Sequence, residues 1–441
     1  MRRRTFLQTV AGATAVSATA QTRTERPPNL VFIMADDMGY ADLGCFGATD
    51  IRTPHIDRIA SRGVRFTDCY ANAPICTPTR VGFLTGQYQQ RFGPELELPL
   101  GPHNNKTVGL LPSQSELPGG LKRAGYRTGA FGKWHVGWNP EYRPLEHGFD
   151  EYFGTLLGNA DMYTHRYHDG SEDLWDGNEV VEREGYLTEL LAERAAQFVE
   201  KSADDPFFLY LPFNAVHWPF QPPGHPEQLA TPENWRDGVR EDYVAMVESM
   251  DTAVGQVVDA LERTGAADNT LLVFTNDNGG ERLSDNGPFF HTKATVFEGG
   301  VRVPAVAQWP GVIPEGATCD QVCASMDFTA TFLKAAGAEP RATLDGVDLR
   351  GVLEDPNDTF ERPLFWRVLR EGRQQRAARI GKWKYIDDGI GARGLPELLF
   401  DLETDPGERK NLYYRNQELA ADMRRQYLAW ERDVEASAAR I

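Results

Sequence analysis

The chain is poor in cysteine: five in 441 residues, at Cys45, Cys69, Cys76, Cys319 and Cys323. That excludes a scaffold built on disulfides, and an odd count leaves at least one cysteine without an intrachain partner. Cys319 and Cys323 either pair or sit as buried thiols; the second is favoured, free cysteine being a commonly buried residue. Cys45 and Cys69 carry the same open alternative. No Cys/His group has zinc spacing. Positive charge is also short, with 46 Lys and Arg against 64 Asp and Glu and a formal net charge of −18. This excludes nucleic acid as the main partner, and an anionic substrate has to meet a local basic pocket against the global field. No apolar run is long enough for a membrane span, and no repeat or low-complexity tract is visible. Aromatic residues are not scarce: they make up 11% of the chain, within 41% hydrophobic residues. Such a chain fills a sizeable core and is not disordered. Its length suits one large domain plus a smaller one.

Residues 1–20 read as an export signal. Arg2-Arg3-Arg4-Thr5-Phe6-Leu7 precedes a mild apolar stretch that ends in Ala18-Thr19-Ala20, an A-x-A cleavage pattern. The paired arginines followed by x-Phe-Leu are similar to a twin-arginine signal, with an ordinary secretory signal as the alternative. Either implies export machinery as a partner and a periplasmic or extracellular protein.

Short apolar runs at Asn29–Met34, Arg127–Phe131, Phe207–Phe213, Leu271–Thr275 and Val303–Gln308 read as buried strands. Helical patterns lie between them. Asp242–Arg263 has apolar residues at three-and-four spacing and stops at Gly265, and Pro54–Gly63 opens on proline and closes on glycine. This alternation indicates an α/β fold with a large, mostly parallel sheet between helices. We expect this catalytic domain over residues 27–340. Over 341–441 the pattern changes to short strands (364–369, 375–380, 383–386) and a final helix from about Gln417 to Val434. That describes a small α+β subdomain with an antiparallel sheet.

Chemistry-bearing residues follow the strand ends. They are Asp36-Asp37, then Lys133-Trp134-His135, then Asn214 and His217, then Asp277-Asn278. In open α/β sheets ligands bind outside the carboxyl ends of the strands. Asp36, Asp37, Asp277 and Asn278 make a hard, all-oxygen set suited to Ca²⁺ or Mg²⁺, although each pair alone reads equally well as a turn. His135 and His217 taken singly are more often structural. Cys76, just before Pro78, sits where a helix begins, so the helix dipole favours negative charge on it.

Cys76-x-Pro78-x-Arg80 followed by Thr85-Gly86 resembles the signature of the type I sulfatases of the alkaline phosphatase superfamily. Further matches are Ala35-Asp36-Asp37-Met-Gly-Tyr, Gly132-Lys133-Trp134-His135, Val216-His217-Trp-Pro-Phe and Thr275-Asn276-Asp277-Asn278-Gly279. Lys293 upstream of Phe297-Glu298-Gly299-Gly300 and the late Lys382-Trp383-Lys384 and Asp401-Leu-Glu-Thr-Asp-Pro406 complete the order. The resemblance implies an alkaline phosphatase-like fold and a sulfuric ester hydrolase. In it Cys76 is oxidised to formylglycine by a formylglycine-generating enzyme, and the hydrated aldehyde is the nucleophile. It also implies Ca²⁺ held by Asp36, Asp37, Asp277, Asn278 and the modified Cys76. Arg80 would stabilise the hydrated aldehyde, with Asp277 as its base, and Lys133 and Lys293 would hold sulfate oxygens. His217 would protonate the leaving oxygen, and His135 would serve breakdown of the enzyme–sulfate adduct. One departure is Leu117-Pro118-Gly119-Gly120, where proline and two glycines should shorten a helix.

A sulfated carbohydrate is the expected substrate, with Trp134, Trp138, Trp175 and Trp218 as a possible sugar-facing rim or, for several, core. A phosphonate monoester or phosphodiester hydrolase of the same superfamily is the alternative, and an unmodified Ca²⁺-binding protein a third reading. Substrate choice should fall to segments outside the motifs, Gly93–Lys106, Gly158–Asp176, Gln221–Asp237 and Glu281–His291. They carry His103, Asn159, Asp161, His165, Arg166, His168 and His291, any of which could read sugar hydroxyls or a carboxylate, although each taken alone reads more readily as loop solvation.

Overall fold

The computed structural model describes residues 26–101, 107–370, 372–389 and 397–438. The expected export signal at 1–20 and His103 lie outside the described residues.

Asn29–Ala35 (β1) is an apolar run buried at every position. Its side chains alternate between two cores: Val31, Ile33 and Ala35 face one, Leu30, Phe32 and Met34 the other. Burial on both faces is the signature of a central parallel strand. β1 pairs in parallel with Phe207–Pro212 (β3) on one side and Thr270–Asn276 (β4) on the other. Arg127–Phe131 (β2) continues the parallel pairing beyond β3, and Ala305–Gln308 (β5) runs antiparallel to β4. Short edge strands extend the sheet to ten, mixed but mostly parallel. The expected 303–308 strand starts two residues late, because Pro304 has no N–H to give the ladder.

Helices cover both faces. Pro54–Ser61 (α1), Leu187–Ser202 (α3) and Arg240–Thr264 (α4) lie on one, and Cys76–Thr85 (α2) and Ser325–Ala335 (α5) on the other. The Leu117–Arg123 helix is held to seven residues.

Leu364–Arg370, Arg373–Ile380, Trp383–Asp387 and Glu397–Asp401 (β6–β9) form a four-stranded antiparallel sheet backed by Gln417–Ala438 (α6). The last strand was not expected. Leu349, Val352 and Leu353 pack into the core of the large sheet, so the sheet change comes near residue 364. All five cysteines are free thiols, although Cys69 and Cys323 stand opposite each other on a short parallel ladder.

A buried ionic network joins the two sheets. The fully buried Lys384 ammonium lies 2.7 Å from Glu298 Oε1 and 3.2 Å from Glu408 Oε1. Glu298 Oε2 accepts from Tyr70 and pairs with Arg302, which reaches Asp68 at 2.7 Å. Arg379 pairs with the same Asp68. Two carboxylates thus share one lysine. Burial raises Glu408 to about 7 despite Lys384, with Glu298 adding to the rise. A carboxyl raised on folding binds its proton more tightly in the native state, so its contribution to stability falls as pH rises from 4.5 to about 7. Glu408→Gln should remove that decline. Thermal midpoints of both proteins across this window check it, and parallel curves would overturn it.

Candidate active site

The carboxyl ends of β1, β3, β4 and β2 bring the expected residues together. Asp36 and Asp37 follow β1, and Asp277 and Asn278 follow β4, its neighbour in the sheet. Lys133 and His135 follow β2, and His217 lies beyond β3. Cys76 is the first residue of α2, whose ten residues are all buried and which ends at Gly86 in the left-handed conformation.

Arg80, 0% exposed, sits one helical turn after Cys76. Its Nη2 lies 2.8 Å from Asp277 Oδ2 and 3.4 Å from Asp36 Oδ2, and its Nη1 donates to the Lys133 carbonyl at 2.9 Å. Lys133 Nζ meets Asp36 Oδ2 at 2.5 Å, and Lys293 Nζ meets Asp37 Oδ2 at 2.6 Å. Asn278 Nδ2 donates to Asp37 Oδ1 at 2.8 Å. Three buried carboxylates therefore face two buried cations, Arg80 and Lys133, and the partly buried Lys293.

The electrostatics are those of a crowded anion cluster. Burial, with Asp277 and Asp37 beside it, raises Asp36 to about 8 even though Lys133 and Arg80 oppose the rise. Burial would raise Asp37 too, but Lys293 and His217 overcome this and hold it well below the usual range. Burial pushes the Cys76 thiol up, against the pull of Lys133 and Lys293. An unmodified Cys76 is thus a neutral thiol and not a thiolate nucleophile. Burial lowers both His135 and His217, helped by Lys133 in each case.

The donor set fits a hard divalent cation. Asp36 Oδ1 and Asn278 Oδ1 are buried without a hydrogen-bond partner among the described residues. Asp36, Asp37 and His217 place ligand atoms within 4.8 Å of one another. Unpartnered oxygens beside three carboxylates are what a Ca²⁺-type ion satisfies. Asp37 and His135 adopt left-handed φ of 61° and 58°, uncommon for residues with a side chain.

His217 Nδ1 lies 2.7 Å from the Trp218 carbonyl, which can only accept, so that nitrogen carries a hydrogen. Nε2, 3.5 Å from Asp37 Oδ2, is the nitrogen left to exchange a proton. His135 Nε2 bonds the Leu100 carbonyl at 2.8 Å, and its buried Nδ1 has no partner among the described residues.

The late motifs have a packing reason. Gly279 N donates to Gly300 O at 2.9 Å, and a Cβ on Gly279 would fall 1.9 Å from the Gly299 carbonyl. Only glycine allows that approach.

Comparison with known proteins agrees with this geometry. The Sulfatase family model matches residues 28–338, and that of the N-sulphoglucosamine sulphohydrolase C-terminal region matches 287–432. The chain belongs to the sulfatase family. The N-acetylgalactosamine-6-sulfatase of Sus scrofa is 33% identical over 455 residues, 91% of this chain and 84% of that protein. Arylsulfatase G of Rattus norvegicus is 33% identical over 462 residues, 90% of this chain and 84% of that protein. The solved structure of Ps i-CgsB, known also in complex with k-i-k-neocarrahexaose, superposes with a TM-score of 0.82 at 33% identity. It covers 92% of this chain and 93% of that one. The sulfatase is thus an enzyme of the alkaline phosphatase superfamily, and the reading as a non-enzymatic Ca²⁺-binding protein is set aside.

Some expected substrate readers of this sulfatase are structural. Asp161 accepts from Tyr163 N, Thr164 N, Gln221 Nε2 and Ala230 N, which consumes its carboxylate. His165 Nε2 bonds the Gly185 carbonyl. Arg166 pairs with Glu172 at the surface. Asn159 is buried. His168 packs edge-on to Trp235, and His291 stacks on Phe297. Trp134 is core at 1% exposure, while Trp138, Trp175 and Trp218 are partly exposed. Two residues that bear on the site were missed. Tyr210, within β3, reads as an ordinary buried aromatic, yet the Arg80 guanidinium is near enough to oppose the rise that burial gives its hydroxyl. Glu281 Oε2 accepts from Trp218 Nε1 at 3.0 Å and lies 4.0 Å from Lys293 Nζ. No helix among the described residues is long and apolar enough to cross a membrane.

Proposed function

We propose that this sulfatase removes sulfate from a sulfated carbohydrate, using a formylglycine made from Cys76 and a bound Ca²⁺. The observation that carries the reading is the convergence of Asp36, Asp37, Asp277, Arg80, Lys133 and Lys293 at the buried start of α2. The carbohydrate part is supported by the names of the relatives, one an N-acetylgalactosamine-6-sulfatase and one in complex with k-i-k-neocarrahexaose. The catalytic residues lie within 27–340, with 341–441 as the C-terminal subdomain, and the leader and its export follow the sequence reading.

Asp36, Asp37, Asp277 and Asn278, with the modified residue 76, would hold the ion. Formylglycine supplies a hydrated aldehyde as nucleophile, and the cation supplies fixed positive charge beside it. Arg80, fixed by its pairing with Asp277, would hold that group in place, and Asp277 would accept the proton of its attacking hydroxyl. With the carboxylates occupied by a cation, Lys133 and Lys293 are free to hold sulfate oxygens. His135, with an unpartnered ring nitrogen, serves the second half of the reaction. His217 presents Nε2 to the leaving oxygen, and an arriving anionic sulfate raises its proton affinity against the effect of burial.

A sugar alkoxide leaves poorly and a phenolate leaves easily. General acid catalysis is worth about 10²–10⁴-fold, so His217→Ala should lose that much on a sugar sulfate and far less on 4-nitrophenyl sulfate. Equal losses would remove His217 as the acid. Phosphonate and phosphodiester substrates form the competing arm of the assay, and their preferential turnover would restore the alternative activity.

A further inference from the structure

We infer that Arg236 and Arg282 form an anion subsite on the rim of the active site, which takes a second negatively charged group of the sugar chain being cleaved. The inference rests on the sulfated-carbohydrate reading and adds to it a preference for substrates carrying more than one anionic group.

A short chain of contacts ties the pair to the reacting centre. The His217 and Trp218 rings lie 4.3 Å apart. The Trp218 indole is fixed by its hydrogen bond to Glu281, whose backbone N–H in turn donates to the Asp37 carbonyl at 3.4 Å. The Arg236 guanidinium sits 4.8 Å from the centre of the Trp218 ring. Arg282, next in sequence to Glu281, donates from Nη2 to the Arg236 carbonyl and lies 5.6 Å from the Phe220 ring. Two ring contacts therefore separate His217 from Arg236.

The state of these arginines points to a ligand. Both are exposed, and neither has a carboxylate partner among the described residues. Nearby Arg240 differs, being claimed by both Asp42 and Asp50. Aromatic packing orients each guanidinium plane in advance, so less freedom is lost when an anion binds. The guanidinium fork matches two oxygens of a sulfate or a carboxylate at once. A chain of net charge −18 repels a polyanion at long range, and a local basic pair offsets this where the substrate docks. Glu281 does not cancel the pair, because its carboxylate is turned to Trp218 and Lys293.

The test uses the full-length active enzyme and disaccharides that share one scissile sulfate. One has no other charge, one carries a second sulfate, and one carries a uronate carboxylate on the adjoining sugar. For the doubly charged substrates, the R236Q/R282Q double variant should raise KM about tenfold with kcat nearly unchanged. The singly charged substrate should be unaffected. The wild-type KM should rise more steeply with salt for the doubly charged substrate than for the singly charged one, and the double variant should lose this difference. R236K/R282K, which keeps the charge but loses the planar fork, should recover only part of the affinity while restoring the salt dependence. Whichever doubly charged substrate shows the loss identifies the group bound. Equal losses on all substrates would make the arginines mere props for Trp218 and overturn the subsite, as would no loss on any. If every sugar sulfate is refused while 4-nitrophenyl sulfate is cleaved, the carbohydrate reading falls and the subsite with it. Normal sugar turnover without the charge dependence overturns the subsite alone.

Discussion

Cys76→Ala should lose sulfatase activity by about 10⁴-fold or more while keeping the fold. Alanine fills nearly the same space at a position only 3% exposed, and α2 keeps its first turn because that turn depends on the backbone and Pro78. What disappears is the atom chain from which the nucleophile is made. The native sulfur would not serve in its place, since burial keeps it a neutral thiol and soft sulfur is a poor neighbour for Ca²⁺. Mass spectrometry of the peptide spanning Cys76 should find the aldehyde in active wild-type protein. A fully active preparation holding only the thiol would overturn the mechanism.

Asp36→Ala should cost about 10³-fold in activity, the scale on which loss of one preorganised electrostatic group is felt. Asp36 is central to the charge balance: it meets Lys133 and Arg80, borders Asp37 and Asp277, and has one oxygen with no partner among the described residues. Removing it leaves Lys133 buried without its counter-charge and opens the ligand set. Elemental analysis of the wild type should give calcium, and chelation should abolish activity until Ca²⁺ is restored. Full activity in the variant, or bound zinc in the wild type, would contradict the assignment.

The interior of the fold was legible in the sequence because its strands are buried on both faces. Such strands appear as unbroken apolar runs, and Asn29–Ala35, Arg127–Phe131, Phe207–Pro212 and Thr270–Asn276 fall within about a residue of expectation. The three- to five-residue strands Val64–Phe66, Glu151–Gly154, Ala317–Cys319 and Glu397–Asp401 were not seen. They are too short to show a period, and long-range pairing makes them strands. The candidate site was legible through its motifs, most of them at strand ends, whose residues converge although as many as 256 positions separate a directly paired couple. Tyr210 and Glu281 escaped for opposite reasons: one reads as core, the other as one acid among many in a loop. Asp161 shows the converse limit: a polar residue that closes a turn carries no mark in the sequence that distinguishes it from one that reads a sugar.

The Lys384–Glu298–Glu408 network decides how this molecule can be divided. Glu298 lies five residues after Lys293, and Cys76, Ala294, Val296 and Phe297 share one apolar cluster with Trp366, Tyr385 and Tyr427 of the C-terminal part. Cutting the chain after the large sheet would strip Glu298 of its lysine and open the wall against which the Lys293 loop and the start of α2 rest. Removing one partner from a buried ion pair costs about 3–5 kcal/mol, a large share of what holds any domain together. The two sheets are therefore not interchangeable modules. A gene fusion or domain exchange that grafts a foreign C-terminal sheet must supply a lysine for Glu298 and a carboxylate in the place of Glu408, or the graft disables a nucleophile it never touches.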